Sequence, residues 1–178
     1  ISLLFSFAKK CYTTGNGGIS MKLQKTNAMR LLDKEQIPYE VFTYAHGKEA
    51  IGGTHVAELL QQNPDQVFKT LVTIANTKEY LVFVIPVAQE LDLKKCAKAA
   101  NVKAVEMIHV KDINKITGYI RGGCSPIGMK KSYRTFLHES CLAFSTIMFS
   151  GGKIGYQIAM EPRKLIALIH AQTADIIK

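Results

Sequence analysis

Long apolar runs are missing from this chain of 178 residues. No stretch approaches the ~20 consecutive apolar residues that a membrane-spanning helix needs. Glycine and proline, at 13 and 5 residues, are too sparse for a fibrous or low-complexity protein. Cysteine is scarce too: Cys11, Cys96, Cys124 and Cys141 are scattered and form no C-x-x-C pair. That pattern argues against a disulfide framework and fits a reducing cytoplasm. The five histidines (His46, His55, His109, His138, His170) have no i+4 histidine partner, and there is no H-E-x-x-H and no Cys/His cluster at zinc spacing. No metal is therefore expected. A P-loop and a G-x-G-x-x-G after a strand are also lacking, so no nucleotide cofactor is expected either. No G-x-S-x-G elbow exists, and Ser125 in GCSPIG lacks the strand–turn–helix context of a serine nucleophile. A Ser–His–Asp triad remains open at this level, because triads assemble in space and leave no mark in residue order.

What is present is a chain 47% apolar and 21% charged, long enough for one compact domain. Its formal net charge of +9 suggests a polyanionic partner. The first twenty residues, ISLLFSFAKKCYTTGNGGIS, look foreign to the rest. A secretory signal carries its positive charge before the apolar run, and here Lys9 and Lys10 follow it. Residues 1–20 are expected to be an added or upstream leader outside the fold, with a targeting segment or native structure as the alternatives. Residues 21–178 are expected to form a single domain. The leader holds two lysines and no acids, so seven of the nine net charges belong to that domain.

From Met21 onward, helical and strand periods alternate. Thr26–Gln36 sets Ala28, Leu31 and Leu32 on one helical face, and YEVFTY at Tyr39–Tyr44 predicts a strand. A short helix is predicted from Gly52-Gly53-Thr54 to Leu60. Two strands, Val67–Ala75 and Tyr80–Pro86, flank a four-residue hairpin loop, and the second is apolar enough to be buried on both faces. Asp92 predicts a helix cap for Leu93–Ala100. A short strand (Val105–His109), a short helix (Lys111–Thr117) and a glycine-rich loop (Gly122–Gly128) follow. Further strands are predicted at Phe136–His138, Ala143–Ser150 and Gly155–Met160, and Glu161-Pro162 opens a last helix. Six or seven strands and four or five helices in irregular order predict an α+β fold: a mixed, barrel-like sheet with helices packed outside it.

Several residues stand out chemically. Lys69 sits inside VFKTLVTIA, where an ammonium must reach water or an anion. It is either a snorkelling strand-end lysine or a charged hook for a phosphate or carboxylate. The run Gly118–Gly128 (GYIRGGCSPIG) can bring backbone N–H groups together on an oxyanion, or it can simply turn a tight corner. Ser150-Gly151-Gly152-Lys153-Ile154-Gly155 repeats that choice between two strands. Tyr44, closing a strand in TYAHG, fits a core edge or a pocket wall. Cys124 reads as a small buried hydrophobe more readily than as a nucleophile. Lys94-Lys95, Lys130-Lys131, Arg121 and Arg134 are solvated surface charges or a nucleic-acid track.

Six segments in register carry a resemblance: TYAHG, NPDQVFKTL, IPVAQELDLKKCAKAA, VEM, TGYIRGGCSPIGMKK and FSGGKIGYQI. Together they resemble the YbaK/EbsC family of aminoacyl-tRNA deacylases, relatives of the editing domain of bacterial prolyl-tRNA synthetases. The likeness spans Lys22 to the C-terminus and is nearest to the free-standing Cys-tRNA(Pro) deacylases. It implies a carboxylic ester hydrolase or lyase acting on misacylated tRNA, with no cofactor, and a pocket for the aminoacylated terminal adenosine. Lys69 is implied beside the ester and Tyr44 at the pocket wall. Gly122, Gly123, Ser125 and Pro126 are implied as the loop closing over the aminoacyl group, with Ser150 and Gly151 facing it. Gln157 stands where relatives usually carry Asp, and Cys124 where they carry an aliphatic residue. The resemblance further implies tRNA as partner, a transient complex with prolyl-tRNA synthetase, and a substrate cysteine that attacks its own ester. Cleavage of another misacylated tRNA such as Ala-tRNA(Pro), and a non-catalytic tRNA- or nucleotide-binding module, are the alternatives.

Overall fold

The computed structural model describes residues 24–47 and 50–178 in full, and 9–13 by their backbone. Most of the expected leader, and Met21 with it, lies outside the described residues. The five that are described form a strand, β1 (Lys9–Thr13), pairing antiparallel with β2 (Tyr39–Thr43).

Between them, helix α1 (Asn27–Lys34) starts at Thr26, whose hydroxyl accepts from Met29 N at 3.3 Å and satisfies one of the free N–H groups of the first turn. Its buried residues are Ala28, Met29 and Leu32, while Leu31 is only partly covered. At roughly 100° per residue, the arc through positions 28, 32 and 29 leaves position 31 off its edge.

After α2 (Gly53–Leu59), a hairpin of β3 (Phe68–Ala75) and β4 (Tyr80–Pro86) forms the spine of the molecule. Six of the seven β4 residues are buried, because both faces are covered as expected. Val82 and Val84 join the main core with Phe68, Val72 and Leu137. Leu81, Phe83 and Ile85 face a second core under α3 (Leu93–Ala100). Asp92 caps that helix by accepting from Lys94 N and Lys95 N at 2.9 and 3.1 Å.

β5 (Val105–Met107), α4 (Ile113–Thr117), β6 (Arg134–His138), β7 (Ile147–Ser150), β8 (Tyr156–Met160), α5 (Pro162–Ile169) and β9 (Gln172–Ala174) complete the chain. One sheet runs β1-β2-β8-β7 and the other β5-β3-β4-β6-β9, parallel at β4/β6 and β6/β9. The fold is thus mixed α+β, with nine strands and five α-helices among the described residues. The segment predicted as a strand from Ala143 begins only at Ile147, because Glu139–Ala143 closes into a 3₁₀ turn.

Among the described residues, one parallel bridge between Val67 and Met148 joins the edges of the two sheets. Farther along the same edge of β3, β5 pairs only with Thr73–Ala75. Phe68–Leu71 therefore have a strand neighbour on one side and a gap on the other. That gap is where the site lies.

Candidate active site

A cavity of about 460 Å³ opens at this gap, within the size range of small-molecule sites. One wall is the start of β3, with Lys69 and Thr70. The opposite wall is β7 and β8, where Ser150 and Gln157 stand directly across from each other in the strand register. Tyr44, just past β2, and the start of α2 close one end. Arg121, Gly122 and Cys124 of the glycine-rich loop close another.

Lys69 is half-buried, and its Nζ donates to the carbonyl oxygen of Val87 at 3.0 Å. One of its three N–H groups is used there, which leaves two for a ligand. Burial pulls its pKa below the usual lysine range, and the Glu90 carboxylate pulls it partly back. The described residues lining the cavity include Lys69 and Arg121 as cations and no carboxylate, so the interior favours negative charge.

The glycine loop divides its labour. Gly122 has φ +81°, and a Cβ there would run into Ala50. Its bare backbone forms part of the cavity wall. Gly123, Ser125 and Pro126 are buried but do not line the cavity. Gly123 N donates to Ile120 O at 3.0 Å, and the wholly buried Ser125 hydroxyl accepts from Ile127 N at 3.3 Å. The Tyr119 hydroxyl donates to Ile127 O at 2.6 Å. These residues hold the loop's shape, while Arg121, Gly122 and Cys124 present it.

Gly151 also stands back from the cavity: its N donates to Tyr156 O at 2.9 Å and its carbonyl accepts from the Thr26 hydroxyl, tying α1 to the β7–β8 turn. Of the nine residues singled out from the sequence, Lys69, Tyr44, Gly122, Ser150 and Gln157 converge on the cavity. Thr70, Val87 and Gly53 were not anticipated. Gly53 lies so close to Val87 that a Cβ would come within 2.6 Å of its methyl, and the GGT start of the helix was the available signal.

Cys124 lines the cavity, but burial pushes its thiol up to about 11, with the Thr117 hydroxyl acting weakly the other way. A thiol this reluctant to ionise is a poor nucleophile.

The described residues do bring one serine, histidine and aspartate together. His138 Nδ1 lies 2.8 Å from Ser140 Oγ and His138 Nε2 lies 3.8 Å from Asp175. None of the three lines the cavity, and Asp175 is already paired with Lys95 at 2.7 Å, so the grouping is a turn cap. No group of three or more His, Cys, Asp or Glu among the described residues could hold a metal ion, and no described helix is long and apolar enough to cross a membrane.

Residues 53–168 match the profile of the aminoacyl-tRNA editing domain. The chain is 48% identical over 153 residues to the Enterococcus faecalis protein named "Putative Cys-tRNA(Pro)/Cys-tRNA(Cys) deacylase EbsC", covering 86% of this chain and 93% of that one. Its fold is similar to the crystal structure of "a putative trans-editing enzyme for prolyl tRNA synthetase", with a TM-score of 0.74 at 20% identity over 85% of this chain and 95% of the other. The crystal structure of "hypothetical protein APE2540" aligns with a TM-score of 0.77 at 18% identity, over 86% of this chain and all of that one.

Proposed function

Because this chain belongs to the aminoacyl-tRNA editing-domain family, we propose that it is a trans-editing deacylase that hydrolyses misacylated Cys-tRNA(Pro). The observation that carries the reading is Lys69: an ammonium held half-buried in a cavity with no carboxylate among its described lining residues, on a chain 48% identical to a deacylase of that name.

The substrate is an ester, already activated, between an amino acid and the terminal ribose of tRNA. Catalysis then requires positioning and stabilisation of the oxyanion, to which one well-placed donor contributes about 100-fold or more. Lys69 supplies that donor. Gly122 lets the loop backbone approach the ester, Tyr44 and Ser150 bound the aminoacyl group, and Gln157 offers a neutral oxygen. Gly123, Ser125, Pro126 and Gly151 keep these walls in shape.

No protein nucleophile is needed. The substrate's own thiol loses its proton and its sulfur attacks the ester carbonyl. The carbon–oxygen bond to the ribose breaks, and the ribose hydroxyl leaves with a proton. The resulting thiolactone is opened by water to free cysteine. A tethered thiol reaches effective molarities of roughly 10⁵ M, and a pKa near ~8.5 leaves a few per cent thiolate at neutral pH. The formal net charge of +9 suits the tRNA backbone. Recognition of which tRNA is charged is assigned to a transient complex with prolyl-tRNA synthetase, in the cytoplasm.

The test is the purified protein against a panel of mischarged tRNA(Pro) species. Cysteinyl-tRNA(Pro) should be deacylated by the wild type and not by Lys69→Ala. Binding without turnover would make the chain a binding module, and turnover of Ala-tRNA(Pro) in preference would change the substrate.

A further inference from the structure

Two buried polar atoms in the cavity wall have no hydrogen-bond partner among the described residues: Oε1 of Gln157 and Oγ1 of Thr70. Gln157 is only 6% exposed, and the two residues reach the one cavity from different sheets. Interiors rarely leave such atoms unpaired, since a buried acceptor loses water and gains nothing in return.

A third acceptor lies beside them. Ala75 N donates to Glu79 O, so odd-numbered residues of β3 turn their backbone groups toward β4. Val72 O accepts from Ile108 N at 3.3 Å, so even-numbered residues turn theirs to the opposite edge. β5 covers that edge only at Thr73–Ala75. The Thr70 carbonyl and N–H therefore both face the open gap.

The cavity thus offers two kinds of group. Lys69 contributes donors from the β3 wall; Thr70 beside it and Gln157 on the facing wall contribute unpaired neutral oxygens. A phosphate or carboxylate suits Lys69, whereas the buried Gln157 oxygen and the Thr70 carbonyl can only accept and so call for an N–H donor. An aminoacyl ester has a matching layout, with an acceptor carbonyl next to an α-amino group rich in N–H donors.

Resting on the deacylase reading above, we propose that Gln157 and Thr70 hold the free α-amino group of the aminoacyl ester. Through them the site accepts N-unblocked aminoacyl-tRNA and rejects N-acylated and peptidyl-tRNA. Acylation takes away N–H donors that these oxygens would accept from and adds an acyl group at the atom they hold.

The test pairs binding with turnover. Non-hydrolysable amide-linked cysteinyl-adenosine and its N-acetyl form are titrated by calorimetry, a readout in which thiol reactivity takes no part. The wild type should bind the free-amine form roughly tenfold or more tightly than the acetylated one. Gln157→Met and Thr70→Val should each shrink that preference at least about threefold, with the folded state checked by circular dichroism. If Gln157→Met does not fold, Thr70→Val and the wild-type preference decide. Equal binding of both forms by the wild type overturns the inference, as does a folded Gln157→Met or Thr70→Val variant that keeps the full preference. Turnover separates the two levels of reading. Cysteinyl- and N-acetylcysteinyl-tRNA cleaved alike would sink the inference and leave the deacylase standing, whereas no cleavage and no binding of either form would sink both.

Discussion

The Lys69 ammonium lies 3.0 Å from the carbonyl oxygen of Val87, the residue that follows β4. Val87 in turn donates its own N–H to Val67 O at 2.8 Å, which extends the hairpin by one pair just where β3 begins. The lysine is thereby tethered by one N–H across the mouth of its own hairpin. Its flexible stem loses freedom before any ligand arrives, and less remains to be lost on binding.

From this tether follows a split between activity and stability. Lys69→Met keeps the apolar stem and removes a charge that burial disfavours. It should lower kcat/KM for cysteinyl-tRNA(Pro) by about 100-fold or more. Urea unfolding should show a stability change within about 1 kcal/mol of the wild type. Unaltered turnover would remove Lys69 from the chemistry.

Gly122 and Gly47 make a matched pair. Alanine at Gly122 meets both a left-handed φ of +81° and the Ala50 side chain, whereas a Cβ at Gly47 meets nothing within 4 Å among the described residues. Gly122→Ala should cost about 1 kcal/mol or more and weaken deacylation by displacing the loop, while Gly47→Ala should do neither. Thermal unfolding of both variants with their initial rates checks this.

Acid should weaken the fold through His138. Burial lowers its pKa, and the nearby Asp175 and Glu139 carboxylates only partly oppose this. The unfolded chain therefore takes up the proton first as pH falls. The stability His138 contributes is present above the unfolded value of ~6.5 and is lost as pH falls through it toward the lower folded value. Unfolding midpoints between pH 7.5 and 5.5 should fall for the wild type and flatten in His138→Asn.

Binding of tRNA should weaken linearly in log Kd against log salt, as counterion release requires. Arg121 lines the cavity and carries an exposed charge. If it meets a phosphate, Arg121→Ala should reduce the salt slope by about one without changing the preference among aminoacyl groups. Filter binding across a salt series measures both.

Substrate-thiol attack makes a separate demand on chemistry. Alanyl- and seryl-tRNA(Pro) should be cleaved far more slowly than cysteinyl-tRNA(Pro) at saturating protein, because neither carries the tethered thiol. Equal single-turnover rates would assign the attack to water.

Much of the architecture was legible because its signals are local. Asp92 caps α3, Pro162 opens α5, and the apolar run of β4 lies under two cores as its composition demanded. Elements that depend on distant partners were not. β9 is three residues long and exists through its parallel pairing with β6, and Ala143 joins a 3₁₀ turn that ends before β7. In the site, Lys69 was conspicuous because a charge inside an apolar strand is a local contradiction. Thr70 was not, since a threonine in a strand is ordinary until both its neighbours and its partners are known.

Order along the chain determined the hydrophobic faces, the caps, the glycine turns and a lysine whose ammonium must reach water or an anion. Each of these is an interaction within a few residues, and periodicity records such interactions directly. Tertiary structure alone decided that β5 and β7 meet β3 at separate places, leaving a gap between them. It also decided that Gln157 and Thr70 bring unpaired oxygens to that gap from two sheets, because burial and partnership are properties of the packed whole.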